Sequence, residues 1–210
     1  MQVGHSFFDV GAASGLFAIC ASKNGARTVA VEPSREWLPV LKRNLILNSA
    51  SVAVEPKALS LTAEVVKWEV AVTGINFQGE IPQGTISTVT LVGLLEHYAH
   101  HDLRVRIKMD IEGIEFLVLQ DKLTLEALER HDAEMFVSFH PGFVYAGWHL
   151  KAKALVNRAR GVYDGYRLFN AVAKYAKVRL PTGSRINSAL RFAALLRFGC
   201  HDFILSFGEN

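Results

Sequence analysis

The sequence predicts an α/β fold, a mostly parallel sheet with helices on both faces. Three observations predict it. Short β-rich runs alternate with helical stretches along most of the chain, the arrangement that parallel strands need because their crossovers are helices. The first run passes through a glycine loop directly into a helix, in FFDVGAASG, residues Phe7–Gly15. Half of the 210 residues are hydrophobic and a fifth are charged, with no repeat and no low-complexity tract, so one buried core is affordable and disorder is not expected. The whole chain, 1–210, reads as a single domain.

The elements follow in order. Ser6–Val10 is a buried-type strand, and Gly15–Lys23 a helix stopped by Asn24-Gly25. Arg27–Val31 is the second strand. A helix from Ser34 to Asn48 takes Pro39 in its first turn, where the missing N–H does least harm. Val52–Ala58 is the third strand. From Thr62 to Thr90 the helical pattern lapses, and VVKWEVAV and TISTVTL read as extended segments, making 62–90 an insertion in the basic plan. Leu91–Ala99 is a short helix, Val105–Ile111 the next central strand, Glu115–Arg130 a helix, and Glu134–His140 a strand ending at Pro141-Gly142. Trp148–Arg160 is a basic helix. Tyr166–Asn170 and His201–Phe207 form a closing pair of strands, with a turn at PTGS and a helix over Ile186–Arg197 between them.

Charge is unevenly spread. Residues 1–150 carry 12 Lys and Arg against 17 Asp and Glu, a net −5, whereas residues 151–197 carry 11 against 1, a net +10. Such a block suits an anionic partner, whether nucleic acid, membrane headgroup or phosphorylated carrier, and equally suits a solvated helical face. The longest apolar runs, Leu16–Ala21 and Ser188–Leu196, fall short of the ~20 apolar residues of a membrane span. Met1–Ser6 lacks the features of a secretory signal, and Cys20 and Cys200 each lie in an apolar stretch. A cytoplasmic protein with two buried free thiols and no transmembrane helix is expected.

The glycine loop narrows the ligand. Gly11 and Gly15 make G-x-x-x-G, not the G-x-G-x-x-G that lets a backbone approach a pyrophosphate, and no Gly-Lys-Ser/Thr follows. Asp9, two residues before Gly11, would repel a phosphate and suits a cationic ligand. Glu32 ends the second strand, where a carboxylate can accept from both hydroxyls of a ribose. S-adenosylmethionine has that pattern, with an ammonium, a sulfonium and a ribose diol but no phosphate.

In combination, DVGAASG, VAVEPSREWLPVLKRNLILN and KMDIEGIE resemble the FkbM-type methyltransferases, a branch of the class I S-adenosylmethionine-dependent enzymes with a Rossmann-like fold. The family pattern is approximately a DVGAN-x-G loop, an EP at the second strand, an LxxNxxLN helix and a K-x-D-x-E-G-x-E block. The resemblance extends through Val89–Leu95 to a DFILS-type closing strand. It implies a seven-stranded sheet, parallel except for one strand, and methyl transfer to a hydroxyl oxygen of a sugar or secondary metabolite. It also implies that Asp9, Gly11 and Gly15 hold the methionine end and Glu32 the ribose. Pro33 and Ser34 would shape the adenosine wall, and the backbone at Lys57 and Ala58 would lie near adenine. Two departures stand out. Ala13 replaces the usual Asn, and the chain begins almost at the first strand, so either the basic C-terminal block closes the substrate side or the sequence is a fragment or a minimal variant with weak cofactor affinity.

KMDIEGIE, residues Lys108–Glu115, supplies the reaction side. Alternation places Lys108, Asp110 and Glu112 on one strand face at the edge of the crevice where strand order reverses. Asp110 is expected nearest the methyl-transfer centre with Glu112 as second carboxylate, either able to take a hydroxyl proton, hold an ammonium or position a metal. Glu115 reads as a helix-start charge, and Lys108 has no assigned role. His140, in SFHPG, is an alternative base or substrate ligand. His97, His100, His101 and Asp102 have metal-like spacing but no cysteine partners, and no metal is assigned. The expected partner is a small-molecule or glycan acceptor, anionic if the basic block meets it. An RNA methyltransferase and a non-catalytic binding module are the alternatives.

Overall fold

The structure, a computed structural model, describes residues 4–67, 84–100, 103–111, 114–140, 151–197 and 199–208. Its main sheet has eight strands in the order β10-β9-β11-β8-β7-β1-β2-β3. These are β1 (His5–Val10), β2 (Arg27–Val31), β3 (Val52–Glu55), β7 (Arg104–Met109), β8 (Glu134–Ser138), β9 (Ala176–Arg179), β10 (Arg185–Ile186) and β11 (Asp202–Phe207). β1 runs parallel to β2 on one side and to β7 on the other. β3 and β8 extend the parallel set. β11 is antiparallel to both β8 and β9, and β10 is antiparallel to β9. The sheet therefore has one strand more than expected, and two antiparallel strands where one was expected.

A strand with parallel neighbours on both sides lies inside the sheet, and β1 shows it, with Phe8, Asp9 and Val10 fully buried. Two helices cover one face of this half: α1 (Leu16–Lys23) and α2 (Trp37–Leu47), whose Leu41 and Leu45 pack with Ala12, Ala18 and Ala30. The larger core gathers around Phe8, Met109, Met135, Phe139, Phe192 and Phe203. It takes in residues of α3 (Leu91–Tyr98), α4 (Glu115–Val118), α5 (Lys122–Arg130), α6 (Lys151–Val172) and α7 (Ala189–Arg197).

Several expectations need correction. The third strand divides: β3 stays in the main sheet, while β4 (Ala58–Leu59) pairs with β6 (Thr85–Val89), and β5 (Val65–Lys67) completes a small three-stranded sheet. The single helix Glu115–Arg130 is two, because the Asp121 side chain accepts from Thr124 N and Oγ1 (2.8 Å each) and starts α5 afresh. Tyr166–Asn170 is not a strand. It lies in α6, where Leu168, Phe169 and Val172 are buried at helical spacing and Tyr166 and Arg167 face solvent. α6 packs on α7 closely enough that a Cβ on Gly165 would lie 3.3 Å from Ala193. The PTGS turn instead joins β9 to β10, with Gly183 at φ +90° closing on Leu180 O (2.8 Å). Both cysteines are free, but Cys20 is exposed and Cys200 half-buried.

Among the described residues no helix is long and apolar enough to cross a membrane. Glu112, His101, Asp102, the Pro141-Gly142 stop and the expected strand beyond residue 67 lie outside the described residues.

Candidate functional site

The strand order reverses at β1, whose neighbours are β2 and β7. The carboxyl ends of β1, β2, β7 and β8 therefore open on one crevice, the position where open α/β sheets bind ligands.

The loop after β1 is shaped by its backbone. Gly11 and Ala12 N–H groups both donate to Val31 O, at 3.0 and 3.2 Å, and Gly15 N–H donates to Ala12 O at 2.8 Å. Gly11 has φ +79°, and a Cβ there would lie 2.1 Å from Asp110 O, so no other residue fits against the tip of β7. Gly15, at φ +85°, would place a Cβ 2.4 Å from Leu41 Cδ1. Asn44 Nδ2 donates to Ser14 O (2.8 Å) and ties the loop to α2. Ala13 sits at φ +46°, a left-handed conformation that Asn tolerates far better than Ala.

Carboxylates collect the loop's amides. Glu32, 5% exposed, accepts from Ala13 N (2.7 Å) through Oε2 and from Ser34 N (2.8 Å) through Oε1. Ser34 Oγ in turn accepts from Glu36 and Trp37 N–H, both 3.2 Å, at the approach to α2 beyond Pro33. Asp9, fully buried, accepts from Ala18 N (3.0 Å) in the first turn of α1. Burial pushes the Asp9 carboxyl up to about 6, with nearby Lys108 offsetting only part of the cost. Beside them, Glu55 at the end of β3 accepts from Lys57 Nζ (2.8 Å) and from the Tyr98 hydroxyl. Burial raises the Glu55 carboxyl, but these two hydrogen bonds, together with the charges of Lys57 and His97, leave it below its ordinary value. The same bond to Glu55 pushes the Tyr98 hydroxyl up to about 12. Ala58, next to Lys57, is buried in β4.

On the other side, side chains set the geometry. β7 ends at Met109, and Asp110 N–H donates to Val10 O (3.1 Å), holding the tip against β1. His140 lies between two carboxylates: Nε2 is 3.5 Å from Asp110 Oδ1 and Nδ1 is 3.3 Å from Glu115 Oε1. Glu115 opens α4 as expected, but its side chain turns inward. It is fully buried and also accepts Ile111 N–H (3.1 Å). Phe139, fully buried with its ring 5.3 Å from Phe116, fixes the chain next to His140. Lys108 is buried as well, its Nζ 2.8 Å from Gly11 O, 3.6 Å from Asp9 Oδ1 and 3.8 Å from Asp110 Oδ2.

Thus Asp9, Gly11, Gly15, Glu32, Ser34, Asp110 and His140 converge on one crevice. Glu115, expected as a helix-start charge, and Lys108, given no role, also turn their side chains toward these residues. Their charges stood in the same eight-residue stretch, but which way each side chain turns depends on strand order and was not readable from spacing. His97 and His100 do not meet: the ring of His97 stacks edge-on to Tyr98, while His100 contacts Arg27.

Residues 9–160 match the model of the methyltransferase FkbM domain. Among solved structures, the chain is similar to a ribosomal protein L11 methylase from Lactobacillus delbrueckii subsp. bulgaricus (16% identity, TM-score 0.44, covering 98% of this chain and 70% of that one). It is also similar to a precorrin-6y C5,15-methyltransferase from Geobacter metallireducens GS-15 (14% identity, TM-score 0.40, covering 98% and 80%). No curated protein matches.

Proposed function

Because the chain belongs to the FkbM methyltransferase family, we propose that it uses S-adenosylmethionine to methylate a hydroxyl oxygen of a sugar, glycan or secondary metabolite. The donor set fits that cofactor. Glu32, fixed by two backbone amides at the end of β2, places a carboxylate where a ribose diol would donate its hydroxyls. Pro33 and Ser34 border it on the adenosine side, and the backbone at Lys57 and Ala58 follows at the end of β3. Gly11 and Gly15 keep the loop bare of side chains, leaving room for the methionine end, and Asp9 anchors that loop from below.

Bound there, S-adenosylmethionine supplies an electrophilic methyl carbon on a sulfonium, so positioning accounts for much of the catalysis and a base is needed chiefly for an unactivated alcohol. A carboxylate at Glu115 accepts the Nδ1–H of His140, which leaves Nε2 as the acceptor. His140 Nε2 would take the acceptor's hydroxyl proton, and Asp110 would stabilise the resulting imidazolium; the cofactor held beside them would supply the methyl group, its C–S bond breaking as the C–O bond forms, and would leave as S-adenosylhomocysteine. Asp110 and Glu112 remain the reaction-side carboxylates of this reading. The observation that carries it is His140 held between Asp110 and buried Glu115 beside the glycine loop. The test is S-adenosylhomocysteine release on incubation with a panel of sugars and hydroxylated metabolites. An acceptor that gains one methyl group, with loss of turnover in His140→Gln, supports the reading; turnover undiminished in that variant contradicts it.

A second reading, methylation of RNA, is favoured by the basic block. Arg167, Lys174, Arg185, Arg191 and Arg197 are exposed, and Tyr163 and Tyr166 are exposed among them, with the Arg167 guanidinium 5.9 Å from the Tyr163 ring centroid. RNA binding that weakens steeply with salt would favour it. Absence of any S-adenosylmethionine binding would leave a non-catalytic binding module.

A further inference from the structure

Lys108 stands in β7 between two parallel strands, 8% exposed. A buried ammonium is costly unless it is paired and hydrogen-bonded, and here its partners come from three successive pieces of the crevice. It donates to Gly11 O at 2.8 Å, in the glycine loop. It lies 3.6 Å from Asp9 Oδ1, in the strand below that loop, and 3.8 Å from Asp110 Oδ2, at the acidic tip. The Phe17 ring on α1 covers it, 5.5 Å away. Asp9 Oδ1 is buried and makes no hydrogen bond, so Lys108 is the cation that balances it.

The loop carbonyl matters most. The amides of Gly11, Ala12, Ala13 and Gly15 are tied to Val31, Glu32 and the loop itself. These bonds hold the loop toward β2. The Lys108 contact pulls it the other way, toward β7.

We infer that Lys108 is a positioning residue that locks the glycine loop to the tip of β7, so that the two sides of the crevice hold a fixed separation. The consequence for methyl transfer rests on the methyltransferase reading; the lock itself does not. A simpler role, neutralising Asp9 and nothing more, makes a different prediction. Lys108→Met alone strands a buried carboxylate and confounds any loss with misfolding, so the informative pair is Asp9→Asn against Asp9→Asn/Lys108→Met, in which no charge is stranded at position 9.

Two readouts decide. Hydrogen–deuterium exchange on the ligand-free protein should show amides of residues 11–15 exchanging about tenfold faster in the double variant than in Asp9→Asn, with α5 unchanged. Calorimetry should show S-adenosylmethionine affinity lower by about tenfold or more. Equal loop exchange in the two variants overturns the inference in favour of simple neutralisation; faster loop exchange with equal affinity upholds the lock and overturns only its consequence for the cofactor. If the wild-type protein binds no S-adenosylmethionine, the methyltransferase reading has failed, and loop exchange alone still decides the role of Lys108.

Discussion

The tips of β1 and β2 and the tips of β7 and β8 border the same crevice, yet backbone amides shape the first and side chains shape the second. On the β1–β2 side, Glu32 and Asp9 collect N–H groups from Ala13, Ser34 and Ala18, and two glycines set the path of the loop. On the β7–β8 side, His140 lies between Asp110 and Glu115. The difference teaches where substitutions should be felt. A loop whose path is set by its backbone accommodates Ala13 and is expected to fail most severely where a Cβ has no room. A partly exposed member of the side-chain cluster, such as His140, is expected to change with little cost to the fold.

The largest expected effect is on the backbone side. Gly11→Ala drives a Cβ to 2.1 Å from Asp110 O at φ +79°, and should cost about 3–4 kcal/mol of stability with loss of cofactor binding. Chemical denaturation measures it, and a cost below about 1 kcal/mol would mean that the loop relaxes freely. Next, His140→Gln should lower turnover by about 10²–10⁴ while leaving the denaturation midpoint and cofactor affinity nearly unchanged. If affinity falls as much as turnover, the two sides are not separable as described.

A smaller effect appears in pH dependence. The Asp9 carboxyl is held at about 6 in the folded protein, above its ordinary 3.8, because burial disfavours its charge. Its contribution to stability is thus fully present below the unfolded value and lost as pH rises through the folded one. The wild-type protein should lose on the order of 2–3 kcal/mol from this group between about pH 4 and pH 7, and Asp9→Asn should flatten that part of the curve. A wild-type stability that rises through this window and is matched by the variant would contradict the assignment. Smallest of all, Ala13→Gly should stabilise the fold by about 1 kcal/mol, by relieving a left-handed alanine. Thermal denaturation reads the shift, and a drop in stability would show that the Ala13 methyl makes a contact worth more than the strain.

The same division explains what could be read in the sequence. The β1–β2 side is local: Asp9, Gly11 and Gly15 lie within seven residues of each other, and Glu32 closes the next strand, so strand–loop–helix spacing carries them. The β7–β8 side joins residues far apart in the chain. The Glu115 carboxylate meets His140 across 25 positions and Lys108 reaches Gly11 across 97, contacts that exist only once β7 and β8 take their places. Glu115 was legible as the first residue of a helix, and its backbone does start α4; only packing turns its side chain into the core. At the far edge, two-residue β10 is too short to have a period. The aromatic and apolar residues of Tyr166–Asn170 mimic a strand in a five-residue window, and only the full length of α6 shows their 3.6-residue repeat.

The most direct test of the account is calorimetric titration of S-adenosylhomocysteine into the wild-type protein, Glu32→Ala and His140→Gln. Binding to the wild type, weakened about tenfold or more by Glu32→Ala and unchanged by His140→Gln, is the predicted result. No binding to the wild type at millimolar ligand, or equal affinity for wild type and Glu32→Ala, would contradict it.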